Sequence, residues 1–399
     1  MTKFLIVSDI HAYVRSKDTT SVPSLVEVQP DGKPSNILRE IAKLLKDEDL
    51  RPDWLVCPGD LGDRASPEAL KFVWSELVWL RDAVGARYLI GAAGNHDMDS
   101  RFINNNFSPK ENLRALDPPF PGVTLSDSDK YWGNDYCIYT DNACRIVNLN
   151  SSAFHGYGPI IDGKAGENEY GRISERTINR IVAEVTDRAY RTNILLTHHH
   201  LIKNDHMWMG EQSEMRGGNR LLHQLTEATQ ASWIVIHGHL HYPDIDYGRG
   251  SSLAPVVLSA GSAAATYDAG SSASPPNQIY LLDTESDPGQ LDGWQPCGTV
   301  HGWYWSHDGL WERSPPRHRI AYGSGFGSRL NPKQAADRFE SALKGSGQPY
   351  MNFDEAFAKE PLLKFLLPAD LDLAIKELTR RAYKVTIAPV RSQSVLRPL

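Results

Sequence analysis

The chain has 399 residues, 41% of them hydrophobic and 23% charged, with a formal net charge of −7. That size and composition suit one large core with a smaller appendage, or two domains. The negative balance excludes the broad basic face of a protein that grips nucleic acid non-specifically, although it leaves room for a local patch.

Phe4-Leu5-Ile6-Val7 reads as a strand that stops on Ser8-Asp9-Ile10-His11. Alternation carries Asp9 and His11 to one side at its end, and a carboxylate and an imidazole so spaced form half of a metal site. This strand begins so close to Met1 that no removable signal peptide precedes Asp9, and no run reaches membrane-spanning length. An intracellular, cytoplasmic protein is expected. Ala12 to Pro34 is polar and long for a connection, as loops beside active sites often are. Ser35 then caps a helix with Ile37, Leu38, Ile41, Leu44 and Leu45 on one face. Trp54 to Cys57 is the second strand and ends at Pro58-Gly59-Asp60. Ser66-Pro67-Glu68 starts a helix that carries Leu70, Val73, Trp74, Leu77 and Leu80. The third strand, Tyr88 to Ile90, leads into Gly94-Asn95-His96-Asp97. Strand, helix, strand, with polar residues at each strand's C-terminal end, is α/β organisation.

From Met98 to Tyr131 prolines at 109, 118, 119 and 121 point to an irregular excursion. A hairpin follows at Tyr136–Tyr139 and Arg145–Leu149. Gly156 to Gly171 is a glycine-rich loop, and Ser174 starts a helix with Ile178, Ile181, Val182 and Val185. Ile194 to Leu196 is a strand ending on His198-His199-His200. Leu221 to Thr229 is helical, and Trp233 to Ile236 feeds Gly238-His239-Leu240-His241. Val256 to Leu258 runs into Ser259-Ala260-Gly261-Ser262. Residues 268–277 read as a linker. Strands are expected at 278–283 and 300–313, and the nearby Trp294, Trp303, Trp305 and Trp311 favour packing over base stacking. Gly323-x-Gly325-x-Gly327 reads as a flexible linker. Asn331-Pro332 starts a helix, further helices cover 354–367 and 369–382, and the tail from Arg391 to Leu399 is expected to be loosely held. The four cysteines, Cys57, Cys137, Cys144 and Cys297, stand in no ligand spacing and read as reduced core thiols.

Mixed Asp, His and Asn donors at strand ends suit borderline divalent metals rather than calcium. Two such ions activate a shared water and clamp phosphoryl oxygens, and a histidine outside the ligand set can protonate the leaving oxygen. The ordered set Asp9-x-His11, Gly59-Asp60-x-x-Asp63, Gly94-Asn95-His96-Asp97, His198 and Gly238-His239-x-His241 resembles the calcineurin-like metallophosphoesterase family at every motif. The resemblance covers residues 3 to 262.

It implies a four-layer αββα sandwich in a catalytic domain at 1–321, with the extra strands at 278–313, and a small, mainly helical C-terminal appendage at 322–399. It implies two divalent ions, manganese first, with iron, zinc or nickel as alternatives. Asp9, His11 and His241 would hold one ion, Asn95, His198 and His239 the other, and Asp60 would bridge them. His96 would be the general acid or a phosphate contact. Asp63 would support the metal cluster, and Asp97 would orient His96. Arg64 is a candidate bidentate phosphate donor, with a solvated arginine as the alternative. Of the consecutive histidines the family uses the first, His198. His199 is left as a loop or substrate-contacting residue, His200 as a loop residue without a role, with a substrate contact as the alternative, and His237 as structural.

The implied reaction is hydrolysis of a phosphodiester or phosphomonoester of a small molecule by a metal-bridging hydroxide, with the diester ahead. Asp97 and Ala92-Ala93 depart from the GNHE pattern of the family's protein phosphatases. The GNHD motif is shared with its DNA-repair nucleases, so nucleic acid remains the runner-up substrate, without support from the net charge. Scaffold members of the fold lose ligands, whereas here the full set is present. The oligomeric state is not legible.

Overall fold

The computed structural model describes residues 2–15, 21–158, 160–161, 164–165, 170–203, 214–248, 253–266, 275–284 and 295–399. Most of the linker expected at 268–277, and Trp294, lie outside these residues.

In chain order, β1 (Thr2–Ile6), α1 (Asn36–Asp47), β2 (Trp54–Cys57), α2 (Pro67–Ala83) and β3 (Tyr88–Gly91) alternate as expected. The supposed irregular excursion contains two helices, α3 (Glu111–Arg114) and α4 (Leu125–Asn134). Thr124 caps the second by accepting the Asp127 amide at 3.1 Å, a local signal that outweighs the prolines before it. The hairpin is β4 (Tyr136–Thr140) and β5 (Cys144–Leu149). After a short pair, β6 (Ile160–Ile161) and β7 (Lys164–Ala165), come α5 (Glu175–Val185), β8 (Thr192–Leu196), α6 (Gly218–Thr229) and β9 (Ile234–His237). Next stand β10 (Asp244–Tyr247), which sequence reading missed, and β11 (Val256–Ser259). Then follow β12 (Gln278–Thr284), β13 (Gly298–Trp305) and β14 (Trp311–Arg313).

Two mixed sheets result. The first runs β14-β13-β12-β1-β2-β3, and the second runs β10-β11-β9-β8-β5-β4. Strands β1, β2 and β3 are parallel, as are β5, β8, β9 and β11. The period-two pattern decides the layering. Phe4, Ile6, Trp54 and Val56 face inward and meet Ile146, Ile194, Leu196 and Ile236 of the other sheet. Leu5, Val7, Leu55 and Leu89 face outward under α1 and α2, while Val147, Leu195 and Val235 lie under α5 and α6. This is the αββα sandwich. Trp303 and Trp311 are packing residues: their indole nitrogens donate to Glu48 Oε1 at 3.3 Å and to the Ile37 carbonyl at 3.0 Å. All four cysteines are buried and free.

The C-terminal region corrects three expectations. The glycine run at 323–327 is not a flexible linker. It holds β15 (Ser324–Phe326), which pairs antiparallel with β13. A Cβ on Gly325 would collide with the Lys364 carbonyl, so glycine is there for a close backbone approach. The tail is not loose either. After α7 (Pro332–Lys344), β16 (Met351–Asn352), α8 (Phe353–Lys359) and α9 (Pro368–Arg380), strands β17 (Tyr383–Thr386) and β18 (Val395–Pro398) close a sheet ordered β16-β18-β17. Leu396 of β18 is fully buried. The helices are also shorter than expected, because Pro361 and Pro368 break the apolar run between them. The region remains mainly helical, with its own core of Phe339, Leu343, Phe353, Leu371 and Leu378.

Candidate metal centre

The candidate site lies where the parallel strands of both sheets end. The loops after β1, β2 and β3 meet those after β8 and β9. Backbone bonds zip them together: the Asp9 amide donates to the Gly59 carbonyl at 3.1 Å, His11 to Asp60 at 3.0 Å, and Gly238 to His198 at 3.1 Å. Asp9, His11, Asp60, Arg64, Ala65, His239 and His241 all have positive φ, between 51° and 70°. L-residues adopt that region at a cost, and its concentration here marks loops whose side-chain directions are imposed by the fold. Gly94 and Gly238 let backbone pass where a Cβ would strike the Asp60 and Asp9 carboxylates.

Asp60 sits centrally. Its Oδ1 accepts the His96 amide at 2.9 Å, and its Oδ2 lies 3.5 Å from His11 Nε2 and 3.3 Å from His198 Nε2. On one side Asp9 Oδ1 lies 3.3 Å from His241 Nε2 and accepts the His239 amide at 3.0 Å. His11 Nε2 and His241 Nε2 stand 2.9 Å apart. On the other side Asn95 Oδ1 lies 3.0 Å from both His198 Nε2 and His239 Nδ1. His198 Nδ1 points to the Pro58 carbonyl at 3.0 Å, which leaves Nε2 for the centre.

The structure brings together Asp9, His11, Asp60 and His241, and separately His198, His199 and His239, each group with candidate ligand atoms within 4.8 Å of one another. So dense a set of nitrogen and oxygen lone pairs repels itself unless cations or shared protons lie between them. The donors fit borderline divalent ions. Burial holds the charged form down at His11, to about 4, and drives His239 well below the usual imidazole range, leaving both neutral and able to ligate. Burial opposes ionisation of Asp9, but the hydrogen bond and charge of His241 outweigh it and hold the carboxyl at about 2. Burial also opposes the His198 cation, yet Asp60 outweighs it and holds the imidazole at about 9, so ion binding here would release a proton.

The contacts of two acids differ from those expected. Asp63 Oδ1, not Asp97, pairs with His96 Nδ1, at 3.1 Å. Asp97 is fully buried and accepts the Gly62 amide at 3.0 Å and the Gly94 amide at 2.9 Å, tying the second motif loop to the third. The backbone just after Asp63 is left-handed at Arg64 and Ala65, and the Ala65 amide donates to the His96 carbonyl at 2.7 Å, which joins the two loops. Burial disfavours the His96 cation, but Asp60 and Asp63 outweigh it and push the imidazole up to about 9. Arg64 stands at the rim with its side chain 78% exposed, Nε 3.6 Å from Asp63.

His199 is buried rather than open to substrate. Its Nδ1 meets Ser151 Oγ at 2.8 Å, while its Nε2 has no partner among the described residues. His237 and His200 are likewise buried. Sequence reading missed Ser8 and Ser262, whose hydroxyls donate to the Asp9 carboxylate and, at 2.6 Å, to the Asp9 carbonyl. It also missed Ser151. The Ser259-Ala260-Gly261-Ser262 strand end was the available signal for Ser262.

A family model described as calcineurin-like phosphoesterase matches residues 2–243, and the chain belongs to that family. A second model, described as wHTH-Calcineurin_assc, matches residues 324–380. A probable cyclic nucleotide phosphodiesterase from Rhodococcus erythropolis is 27% identical over 213 residues, which cover 52% of this chain and 58% of that protein. The match thus spans less than two thirds of the relative. Among solved structures, a purple acid phosphatase from yellow lupin (Lupinus luteus) seeds gives a TM-score of 0.45 at 12% identity, over 78% of this chain and 52% of that one. A calcineurin-like phosphoesterase, YfkN, from Bacillus subtilis gives 0.35 at 15%, over 78% and 87%. No helix among the described residues is long and apolar enough to cross a membrane.

Proposed function

We propose that the chain is a dinuclear, metal-dependent hydrolase of phosphate esters of small molecules, with diesters ahead of monoesters. The observation that carries this is the place of Asp60, whose Oδ2 faces a histidine of each donor group, His11 at 3.5 Å and His198 at 3.3 Å. A carboxylate so placed would suit a bridge between two ions. Asp9, His11 and His241 would hold one ion and Asn95, His198 and His239 the other, with manganese the first candidate. Such ions, when bound, polarise the phosphoryl oxygens and lower the pKa of water.

The protein's own groups do the rest. Asp63 holds His96 by Nδ1, which leaves Nε2 for the substrate. A protonated His96 neutralises charge on the leaving oxygen and delivers its proton as the ester bond breaks. Ser8, Ser262 and the Asp97 bridge fix the loops so that these groups need not reorganise. The named activity of the Rhodococcus relative supports the preference for diesters. The catalytic unit is taken as residues 1–321 plus β15, since Phe326 belongs to the core between the sheets.

The test is a panel of metal-reconstituted protein on bis-p-nitrophenyl phosphate, p-nitrophenyl phosphate, cyclic nucleotides, and single- and double-stranded DNA. Metal-dependent turnover led by diesters is expected. Dominant DNA cleavage would replace this reading with a nuclease, and no turnover with metals bound would count against hydrolysis of these classes.

A further inference from the structure

Beside His96 lies a cleft of about 320 Å³, with Arg64, Arg101 and Ile103 among its lining residues. We infer that it is a leaving-group subsite for a second phosphate. The substrate would then be a phosphodiester whose departing alcohol carries a phosphate of its own. This rests on the hydrolase reading above.

Three observations carry it. The first is direction. A general acid gives its proton to the departing oxygen, so the leaving group must lie on the His96 side of the reacting phosphorus. Asn95 and His96 are both in the cleft wall.

The second is charge. The Arg101 guanidinium is exposed and makes no ion pair or hydrogen bond among the described residues. Among the described residues the Arg64 guanidinium has one ion-pair partner, Asp63, at 3.6 Å. The two acids in the wall are already engaged. Asp63 faces His96, and Asp99 accepts the amides of Ile103 at 2.8 Å, Asn104 at 2.8 Å and Asn105 at 2.9 Å. Arg64 and Arg101 therefore both line the cleft, and Arg101 stands there without an ion pair among the described residues. A guanidinium fork matches the oxygens of a phosphate better than those of a neutral alcohol.

The third is construction. Asp99 is only 3% exposed and gathers the loop that carries Arg101. Asn104 Nδ2 ties that loop to the carbonyls of Arg64, at 3.0 Å, and Ala65, at 3.1 Å. Asn112 Nδ2 adds a bond to the Ala65 carbonyl at 2.9 Å, and the Ala65 amide donates to the His96 carbonyl at 2.7 Å. The segments bearing both arginines and the acid are one hydrogen-bonded unit, which is what a preorganised subsite requires.

The reaction balances simply. The oxygen of water bonds to phosphorus, and the bond from phosphorus to the alcohol oxygen breaks. The proton from His96 goes to that oxygen, and the proton lost by water restores His96. The products are a phosphomonoester and an alcohol that still bears its phosphate.

The test compares two methyl phosphodiesters of ethylene glycol, one with the far hydroxyl free and one with it phosphorylated, on the full-length metal-loaded protein. The wild type should prefer the phosphorylated ester in kcat/KM by about tenfold or more, the worth of one charge-assisted contact. Arg101→Ala should bring the ratio towards unity, and Arg101→Lys should keep part of it. Inhibition of bis-p-nitrophenyl phosphate hydrolysis by 2-hydroxyethyl phosphate should weaken in parallel. Equal turnover of both esters, or a ratio unchanged in Arg101→Ala, overturns the subsite alone. Turnover of neither ester by protein that cleaves bis-p-nitrophenyl phosphate likewise overturns the subsite alone, and turnover of none of the three overturns the hydrolase reading and the subsite with it.

Discussion

Asp63 Oδ1 stands 3.1 Å from His96 Nδ1, and the pairing ties a carboxylate of the second motif to an imidazole of the third. It gives His96 one orientation and supports its cation. If His96 acts as the general acid, its worth must depend on how badly the leaving oxygen needs a proton. His96→Ala should lower kcat by about 10²–10⁴-fold on an alkyl diester, but far less on bis-p-nitrophenyl phosphate, whose leaving group departs as a stable anion. Asp63→Asn should show the same leaving-group dependence in milder form. Steady-state rates on the two esters check this, and equal losses on both would assign His96 to phosphate binding only.

Gly94 is a second point of control. A Cβ there would collide with the Asp60 carboxylate and the Asp60 amide. Gly94→Ala should therefore displace the Asp60 carboxylate and weaken metal binding by about 10–100-fold, the loss typical of disturbing a ligand's support. Calorimetric titration with Mn measures this, with circular dichroism to confirm that the sandwich still forms. Unaltered affinity would show that Asp60 is not held where it appears.

The contact between the C-terminal region and the second sheet should respond to pH. Burial, and then the charge of Asp246, push the Asp370 carboxyl up to about 6, and the Arg329 guanidinium only partly offsets them. A carboxyl raised in the folded state contributes stability below its ordinary value of 3.8 and loses it as pH rises through about 6. Asp370→Asn should flatten stability between those values and raise it at pH 8. The partly solvated site limits the gain to about 1 kcal/mol. Urea unfolding at both pH values measures it, and a variant less stable than wild type at pH 8 would contradict the argument.

Truncation tests how far the appendage is separate. Phe326 and Leu367 both belong to the core between the two sheets. Deleting residues 322–399 removes both and exposes an edge of β13, at a cost of several kcal/mol by analogy with large-to-small core changes, about 2–5 kcal/mol each. Ending the chain after Leu330 keeps β15 and should be milder. Calorimetric unfolding of the two truncations would show the order, and equal stability would place β15 outside the core's energetics.

The helices and the metal-bearing loops were legible because their signals are local. Ser66-Pro67 and Asn331-Pro332 announce helix starts, and the strand ends at Asp9, Asp60, Asn95, His198 and His239 follow short apolar runs. What escaped depends on contacts distant in sequence. β18 forms because Leu396 pairs with Met351 and Val385 on its two sides, and nothing within residues 391–399 reveals that. The pairing of Asp63 with His96 joins two loops 33 residues apart, beside left-handed backbone at Arg64 and Ala65 that has no periodic signature. The burial of His199 follows from Gly171, where a Cβ would meet its ring carbon at 2.7 Å.

The most direct measurement is metal content together with hydrolysis of bis-p-nitrophenyl phosphate, for wild type and Asp60→Asn, after reconstitution with Mn. Two equivalents of metal per chain and metal-dependent turnover are predicted for the wild type. Asp60→Asn should lose at least one equivalent and at least about 100-fold in turnover. Full turnover by the metal-free protein, or by Asp60→Asn, would contradict a dinuclear centre built around Asp60.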